Sequence, residues 1–373
     1  MSNNKKLRLG MIFGGRSGEH EVSLMSARSV LSALDLEKYT VTEIGIAHDG
    51  VWLVGDDVLE VMVAEHYTSL NPATVLPDPT RQGLFMMNGS NQDEMLQYLT
   101  ELDVVFPLLH GTFGEDGTIQ GLFEIAGLAY VGAGVLGSSV GMDKGIFKDV
   151  MRANDIPVLE SIILLRNEIQ ADIDAVVARS EQVAPYPLFV KPANLGSSVG
   201  VSKCRNRSDL LEGVMDAARY DRRILVERGV NGREIEVSVL GNDQPEASVP
   251  GEVIPSREFY SYEAKYHDGS SELLIPAPIP DELRSQVQSI AKKAYQAIDC
   301  AGMARADFLL DKDSGDLYLN ELNTIPGFTK ISMYPKLWEA SGVSYRELVD
   351  RLIELALERK SERDQTEHRY FRS

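Results

Sequence analysis

The sequence predicts a chain of mixed α/β and α+β class in three domains, the first built on a parallel sheet. Three observations predict it. The chain has 373 residues, more than one hydrophobic core organises. As far as residue 141, short apolar strands alternate with helical stretches, the pattern of a parallel sheet with loops at its strand ends open to ligands. Beyond about residue 142 that alternation gives way to strands around a small-residue loop, and later to a turn-linked hairpin. The divisions fall at 1–141, 142–226 and 227–360, with a tail at 361–373.

LRLGMIFGG reads as a buried strand and glycine turn, with a helix from about Glu21. VTEIGIA, VWLV and DVVFPLLHG read as further strands; TIQGLFEIAG is helical and leads to LAYVG, another short strand. The segment Tyr67–Gln92 carries proline, asparagine and glycine and reads as loose, with no function placed there. MDKGIFKDVMRANDI is a helix, and Pro157 introduces a strand. LFVKP and GVSKC read as strands flanking a loop, and ILVERGV ends another. In the third region EIEVSVLG is a strand, FYSYEAKYHDGSS a long loop, ELRSQVQSIAKKAYQAI a helix and YRELVDRLIELALER the last helix. The tail SERDQTEHRYFRS has little apolar periodicity and reads as frayed.

With 37 Lys and Arg against 56 Asp and Glu, the formal charge is −19. Nucleic acid and anionic membrane surfaces need basic partners, so neither is expected to bind. An anionic ligand must instead meet a locally basic pocket in an acidic body. Cys204 and Cys300 show no metal-type spacing and no disulfide framework, as expected of reduced thiols. No signal-type segment opens the sequence, and no apolar run reaches the roughly 18 residues of a membrane span. A soluble cytoplasmic protein is the expectation.

The hexapeptide LGSSVG occurs twice, at Leu136–Gly141 and at Leu195–Gly200. The first copy overlaps Gly132–Gly137, which fits the G-x-G-x-x-G dinucleotide fingerprint. That fingerprint also needs a second strand ending in an acid about 20 residues on. Here the helix around Lys144 follows, so the glycines read as a tight connection between domains. The second copy has richer surroundings, since a buried strand delivers Lys191 to its end before the loop begins. Unhindered backbone N–H groups and hydroxyls make an anion cradle, and the lysine supplies charge. It is not a Walker A loop, because its lysine precedes the glycines and a strand follows.

ARADFLL and LYLNELN are strands joined by the turn-forming run DKDSGD. Alternation puts Arg305 and Asp307 on one face, and Glu321 and Asn323 on one face. A hairpin centred near Ser314 sets Asp307 opposite Glu321 and Arg305 opposite Asn323. Carboxylates held close need a cation, and oxygen ligands suit Mg²⁺ or Mn²⁺. Glu227 and Glu234 flank a connector whose backbone and carboxylates can meet an adenine and a ribose.

This assembly resembles the ATP-grasp superfamily and, within it, the D-alanine–D-alanine ligases. The matching stretches are GGRSGEHEVS at 14–23, LHGTFGEDGTIQG at 109–121, MDK at 142–144, VKPANLGSSVGVSK at 190–203, YEAKY at 262–266, ARADF at 304–308 and NELNTIPGFT at 320–329. They cover nearly the whole chain in the family's order. The resemblance implies a three-domain ATP-grasp architecture and ATP-dependent joining of two D-alanines through a D-alanyl phosphate, for peptidoglycan precursors of the cell wall. By the same resemblance Lys144, Lys191, Ser197 and Ser198 would hold ATP phosphates, with Glu227, Arg228 and Val230 at the adenine and Glu234 at the ribose. Asp307, Glu321 and Asn323 would hold two Mg²⁺ or Mn²⁺ ions. Glu19 would bind the ammonium of the first D-alanine, with His110 near its carboxylate. Ser197 and Tyr266 would link to Glu19 and close the YEAKY loop. Arg305 and the Gly327 backbone would stabilise an oxyanion, and Ser332 with Lys265 would bind the second carboxylate. A homodimer is also implied.

His20, Asn194-Leu195 and Ile325 stand where such enzymes vary. The intact EAKY ending in Tyr266 points to an amine nucleophile, since related depsipeptide-forming ligases differ there. Three alternatives remain at this point. One is another ATP-grasp carboxylate–amine ligase, which Glu19, His110, Tyr266 and Ser332 would distinguish. The others are a nucleotide-binding regulator without turnover and a dehydrogenase built on Gly132–Gly137.

Overall fold

The computed structural model describes residues 6–89, 95–196, 199–254 and 272–367. Three sheets form. The first contains β1 (Leu7–Gly14), β2 (Tyr39–Ile46), β3 (Trp52–Val54), β4 (Asn71–Val75), β5 (Gly83–Asn88), β6 (Met95–Glu101), β7 (Val104–Pro107) and β8 (Ala129–Tyr130), in the order β6-β5-β4-β3-β2-β1-β7-β8. β2, β1, β7 and β8 run parallel, as predicted. β1 is buried from Leu9 onward, as its unbroken apolar run requires of a central parallel strand. The chain leaves β1 for β2 on one side and returns as β7 on the other. The loops after β1 and β7 therefore diverge and leave a crevice at the carboxyl ends of the strands.

The segment 67–92, read as loose, supplies β4 and β5, which with β6 extend this sheet antiparallel. Its strands are short and punctuated by proline and glycine, so their pairing depends on the neighbouring strand rather than on local propensity. The face of β1 carrying Leu9, Met11 and Phe13 packs against helix His20–Leu31 and against Leu348, Leu352 and Ile353 of the last helix, Tyr345–Arg363. Each such side chain stabilises by about 1.5–3 kcal/mol on burial. The last helix therefore runs through residues 361–363, which were expected to fray. Arg359 lies 4.3 Å over the Tyr130 ring, and Arg363 pairs with Glu124. The end of the chain is thereby fastened to its first sheet; residues 368–373 lie outside the described residues.

The second sheet is antiparallel, with order β11-β10-β12-β9 for β9 (Ser161–Leu165), β10 (Leu188–Pro192), β11 (Ser202–Cys204) and β12 (Arg223–Arg228). Leu188, Val190, Ile224 and Val226 face a core shared with helices Ile173–Ser180 and Arg207–Tyr220, neither of which was predicted. Alternation then turns Phe189, Lys191, Leu225 and Glu227 to the other face.

The third sheet is also antiparallel. It holds β13 (Gly232–Gly241), β14 (Glu246–Ala247), β15 (Gly251–Ile254), β16 (Glu272–Leu274), β17 (Gly302–Asp311) and β18 (Leu317–Asn323), with β13 between β15 and β17. Ile235, Val237, Ala304, Ala306 and Phe308 pack on helices Asp281–Ala297 and Lys144–Ala153. Glu234, Glu236, Arg305 and Asp307 occupy the opposite face. A further unpredicted helix, Met333–Ala340, covers part of that face, where Ser238 Oγ donates to Tyr334 O at 3.1 Å.

The first LGSSVG is not a loop. It lies in helix Val135–Met142, and Gly137 lets that helix approach residues 299–300, where a Cβ would stand 3.1 Å from the Cys300 Cα. A helix, Lys144–Ala153, follows where the dinucleotide fingerprint needs a strand. The glycines serve packing.

Candidate functional site

An open cleft of about 1610 Å³ is lined from all three sheets. From the first sheet it receives Glu19, at the N-cap position of helix His20–Leu31 but without a side-chain capping bond. Gly111 has φ +76°, and a Cβ there would stand 2.7 Å from Glu19 Oε2; one at Gly196 would stand 3.1 Å away. Glu19 thus sits between the loop after β7 and the second LGSSVG. Ser17 Oγ donates to His110 O at 2.8 Å, tying the two crevice loops together.

His110 is 4% exposed and stands behind the cleft wall. Its Nδ1 donates to Ile325 O at 3.0 Å, so its Nε2, 3.1 Å from Ser26 Oγ, accepts from that hydroxyl. Ser26 Oγ in turn accepts the Phe328 N–H at 3.3 Å. Burial lowers the imidazole pKa and favours this neutral tautomer. Glu115 accepts the Gly111 N–H at 2.8 Å through Oε2. Burial first, and the nearby Glu19 charge second, raise its carboxyl well above the usual range.

The phosphate face comes from the second sheet. Lys144 N donates to Ala193 O at 2.9 Å and Lys144 Nζ to Leu195 O at 2.7 Å, fixing the start of the second LGSSVG. Phe189 pairs with Glu227 across β10 and β12, which makes Lys191 a diagonal neighbour of Glu227 on the same face. Glu227 Oε1 pairs with Lys191 and Oε2 lies 2.9 Å from Lys148 Nζ. Burial opposes the ionised carboxyl, but the two ammonium groups hold Glu227 down to about 2. The same carboxylate outweighs burial at Lys191 and raises its pKa.

The hairpin has the register that alternation predicts: Arg305 opposite Asn323, and Asp307 opposite Glu321. A bulge after Asp307 makes Asn320 the extra residue. Asn320 Oδ1 lies 3.5 Å from Lys191 Nζ, joining the second sheet to the third. Arg305 Nε and Nη2 donate to the two Asp307 oxygens at 2.7 and 2.6 Å, and Nε lies 3.0 Å from Glu236 Oε2. Glu321, Asn323, Gly327 and Ser332 line the same cleft. Ser332 Oγ is 2.7 Å from Thr329 Oγ1 and begins helix Met333–Ala340.

Arg228, Val230 and Glu234 line the connector wall. Arg228 turns its guanidinium over Tyr318, 5.8 Å from the ring centroid, and lies 3.5 Å from Glu160. Ser197, Ser198, Lys265 and Tyr266 lie outside the described residues. Burial pushes both thiols, Cys204 and Cys300, up to about 12, so neither offers a thiolate.

Sequence reasoning missed Ser26, Lys148, Glu236 and Asn320 and did not single out Glu115. Glu236 was available, since it follows Glu234 by two on one strand and shares its face. Lys148 was available as a charge on the apolar stripe of its helix. Nothing local marks Asn320, which a bulge re-aims.

Residues 8–133 match the family model described as D-ala D-ala ligase N-terminus, and residues 150–354 the one described as D-ala D-ala ligase C-terminus. The chain is 50% identical over 358 residues to the D-alanine–D-alanine ligase of Heliobacterium modesticaldum, covering 96% of each. It is 47% identical over 361 residues to that of Natranaerobius thermophilus, covering 96% of this chain and 97% of the relative. Among solved structures it resembles the D-alanine-D-alanine ligase from Coxiella burnetii, with TM-score 0.80, 37% identity and 96% of each chain covered. It also resembles the VanG D-Ala:D-Ser ligase from Enterococcus faecalis, with TM-score 0.83 and 34% identity, covering 94% of this chain and all of that one.

Proposed function

Because the chain belongs to the D-alanine–D-alanine ligase family, it joins two D-alanines with conversion of ATP to ADP and phosphate, and we propose how its residues divide that reaction. The observation that carries the reading is the meeting of Lys191 with the hairpin. A lysine from one sheet and Asp307, Glu321 and Asn323 from another face one cleft, which Glu19 also lines.

ATP lies between the second and third sheets. The connector of Glu227, Arg228 and Val230 meets the adenine, and Glu234 meets the ribose. Lys144, Lys191, Ser197 and Ser198 receive the phosphates. The donor chemistry of the hairpin fits a hard divalent cation, with two carboxylates, an amide oxygen and no thiolate or imidazole. Among the described residues no group of three or more His, Cys, Asp or Glu could hold a metal ion, so bound nucleotide would have to supply the remaining ligands. Two Mg²⁺ or Mn²⁺ ions held by Asp307, Glu321 and Asn323 would neutralise charge on the triphosphate.

Glu19 binds the ammonium of the first D-alanine and so aims its carboxylate at the γ-phosphorus. His110 holds the loop around it. The carboxylate oxygen attacks that phosphorus, the bond to the β–γ bridging oxygen breaks, and ADP leaves behind a D-alanyl phosphate. The protein's part in this step is mainly positioning and charge neutralisation. Ser332 and Lys265 orient the second D-alanine, whose neutral amine attacks the acyl carbon. Arg305 and the Gly327 N–H receive the oxyanion. The carbon–oxygen bond to phosphate then breaks, the amine proton is lost, and the dipeptide remains. Tyr266 and Ser197, linked to Glu19, close the site so that water does not take the acyl phosphate.

We assign the dipeptide to peptidoglycan precursor synthesis, a cytoplasmic location, a homodimer and divisions at 1–141, 142–226 and 227–360. Among the described residues no helix is long and apolar enough to cross a membrane. The test is ATP hydrolysis over a panel of D- and L-amino acids. The greatest stimulation is expected with D-alanine, and greater stimulation by an L-acid would refute the assignment.

A further inference from the structure

We infer that Lys148 is a positioning residue of the nucleotide site, holding Glu227 from behind so that Lys191 keeps hydrogen-bond donors for the phosphates of ATP. The inference deepens the function proposed above and rests on it.

Helix Lys144–Ala153 turns Gly145, Phe147, Lys148 and Met151 inward. Phe147 and Met151 fill the core beneath the third sheet. Lys148 shares that inward face at 1% exposure, and a lysine so buried requires an opposite charge. It has one at 2.9 Å, Glu227 Oε2, on a residue that is itself 2% exposed. The other Glu227 oxygen belongs to Lys191. Two ammonium groups thus share one carboxylate, and the cluster keeps a single positive charge toward the cleft that Lys191 and Glu227 line.

That stoichiometry decides what Lys191 can do. If Glu227 faced Lys191 alone, the pair would be neutral and closed. A phosphate would then have to strip Lys191 from a buried carboxylate left without a partner, which is strongly unfavourable. With Lys148 on Oε2, Glu227 stays paired when Lys191 turns outward. Burial pulls Lys148 below the ordinary lysine value, while the two ammonium groups hold Glu227 ionised. Lys148 does not line the cleft and acts only through Glu227.

The test measures binding of ATP and of adenosine, each with Mg²⁺ and without D-alanine, to the full chain and to Lys148→Met. The variant is expected to weaken ATP by about tenfold or more, the worth of a charge-assisted hydrogen bond. Adenosine, which offers Lys191 no phosphate, should lose less affinity than ATP does, and the KM for D-alanine should stay as it was. Lys148→Arg keeps a cation on Glu227 Oε2 and should return most of the ATP affinity that Lys148→Met loses. A lysine that only filled space would be replaced as well by methionine as by arginine. Unchanged ATP affinity in Lys148→Met, an equal loss for adenosine, or a Lys148→Arg variant as weak as Lys148→Met would each overturn the inference. Should Lys148→Met fail to fold, Lys148→Gln, which keeps a donor without the charge, takes its place in the same comparison. Failure of the unaltered protein to bind ATP would instead remove the proposed function beneath it.

Discussion

Replacing Arg305 by lysine keeps the positive charge on the hairpin and removes the fork that spans Asp307. The guanidinium reaches both Asp307 oxygens at 2.7 and 2.6 Å, and its Nε lies 3.0 Å from Glu236. An ammonium is a single point of charge on a flexible stem and cannot span both oxygens. At least one charge-assisted hydrogen bond is lost, about 1.5–3 kcal/mol. The side chain is 14% exposed, so water screens little of this. In the proposed amine-attack step the lysine would also misplace the donor assigned to the oxyanion, and loss of such a donor lowers kcat by about a hundred- to a thousandfold. Phosphate release measured against D-alanine and ATP in turn should show kcat down by about a hundredfold, the KM for ATP little changed and a cooperative melt retained. A kcat within about twofold of the unaltered enzyme would refute the oxyanion role, since that difference is far below the loss of one donor.

Other perturbations follow from the same geometry. Glu321→Gln removes a carboxylate charge from the proposed metal site and should lower turnover on the order of a hundredfold while raising the Mg²⁺ needed for half-maximal rate; equal rates at low Mg²⁺ would contradict it. Ser26→Ala leaves both His110 Nε2 and the Phe328 N–H without their partner, so melting should show a loss of about 1–3 kcal/mol and the KM for D-alanine should rise. Glu227, with its folded pKa lowered to about 2 from 4.5, contributes stability that is complete above pH 4.5 and lost as pH falls toward 2. The shift corresponds to about 3 kcal/mol, so urea midpoints should fall between pH 7 and pH 3 in the unaltered protein and change less in Glu227→Gln.

The parallel strands, the hairpin register and the strand that carries Lys191 were legible because each is a local pattern. β1 is apolar without a break from Leu9, ARADFLL and LYLNELN alternate around a turn, and Lys191 lies at the end of a buried strand. What was not legible depends on partners distant in the chain. β4 and β5 are strands because β3 and β6 pair with them. The final residues of the last helix stay ordered because Arg359 and Arg363 meet Tyr130 and Glu124, more than two hundred residues away. The two copies of LGSSVG share a sequence and differ in structure. The first follows a glycine N-cap and packs as a helix on residues 299–300, whereas the second follows strand β10, which carries Lys191 at its end. At the site, Glu19, Arg305 and Asp307 could be named from motif and alternation. His110 could be named but not placed, because its two partners come from the first helix and from the loop after β18.

Incubation of the full chain with ATP, Mg²⁺ and D-alanine, with D-serine and D-lactate present as competitors, tests the central claim most directly when the products are read by mass. The account predicts D-alanyl-D-alanine as the dominant product, with one ADP and one phosphate for each dipeptide. ATP bound but not consumed, or a mixed product outweighing the dipeptide of D-alanine, would contradict it.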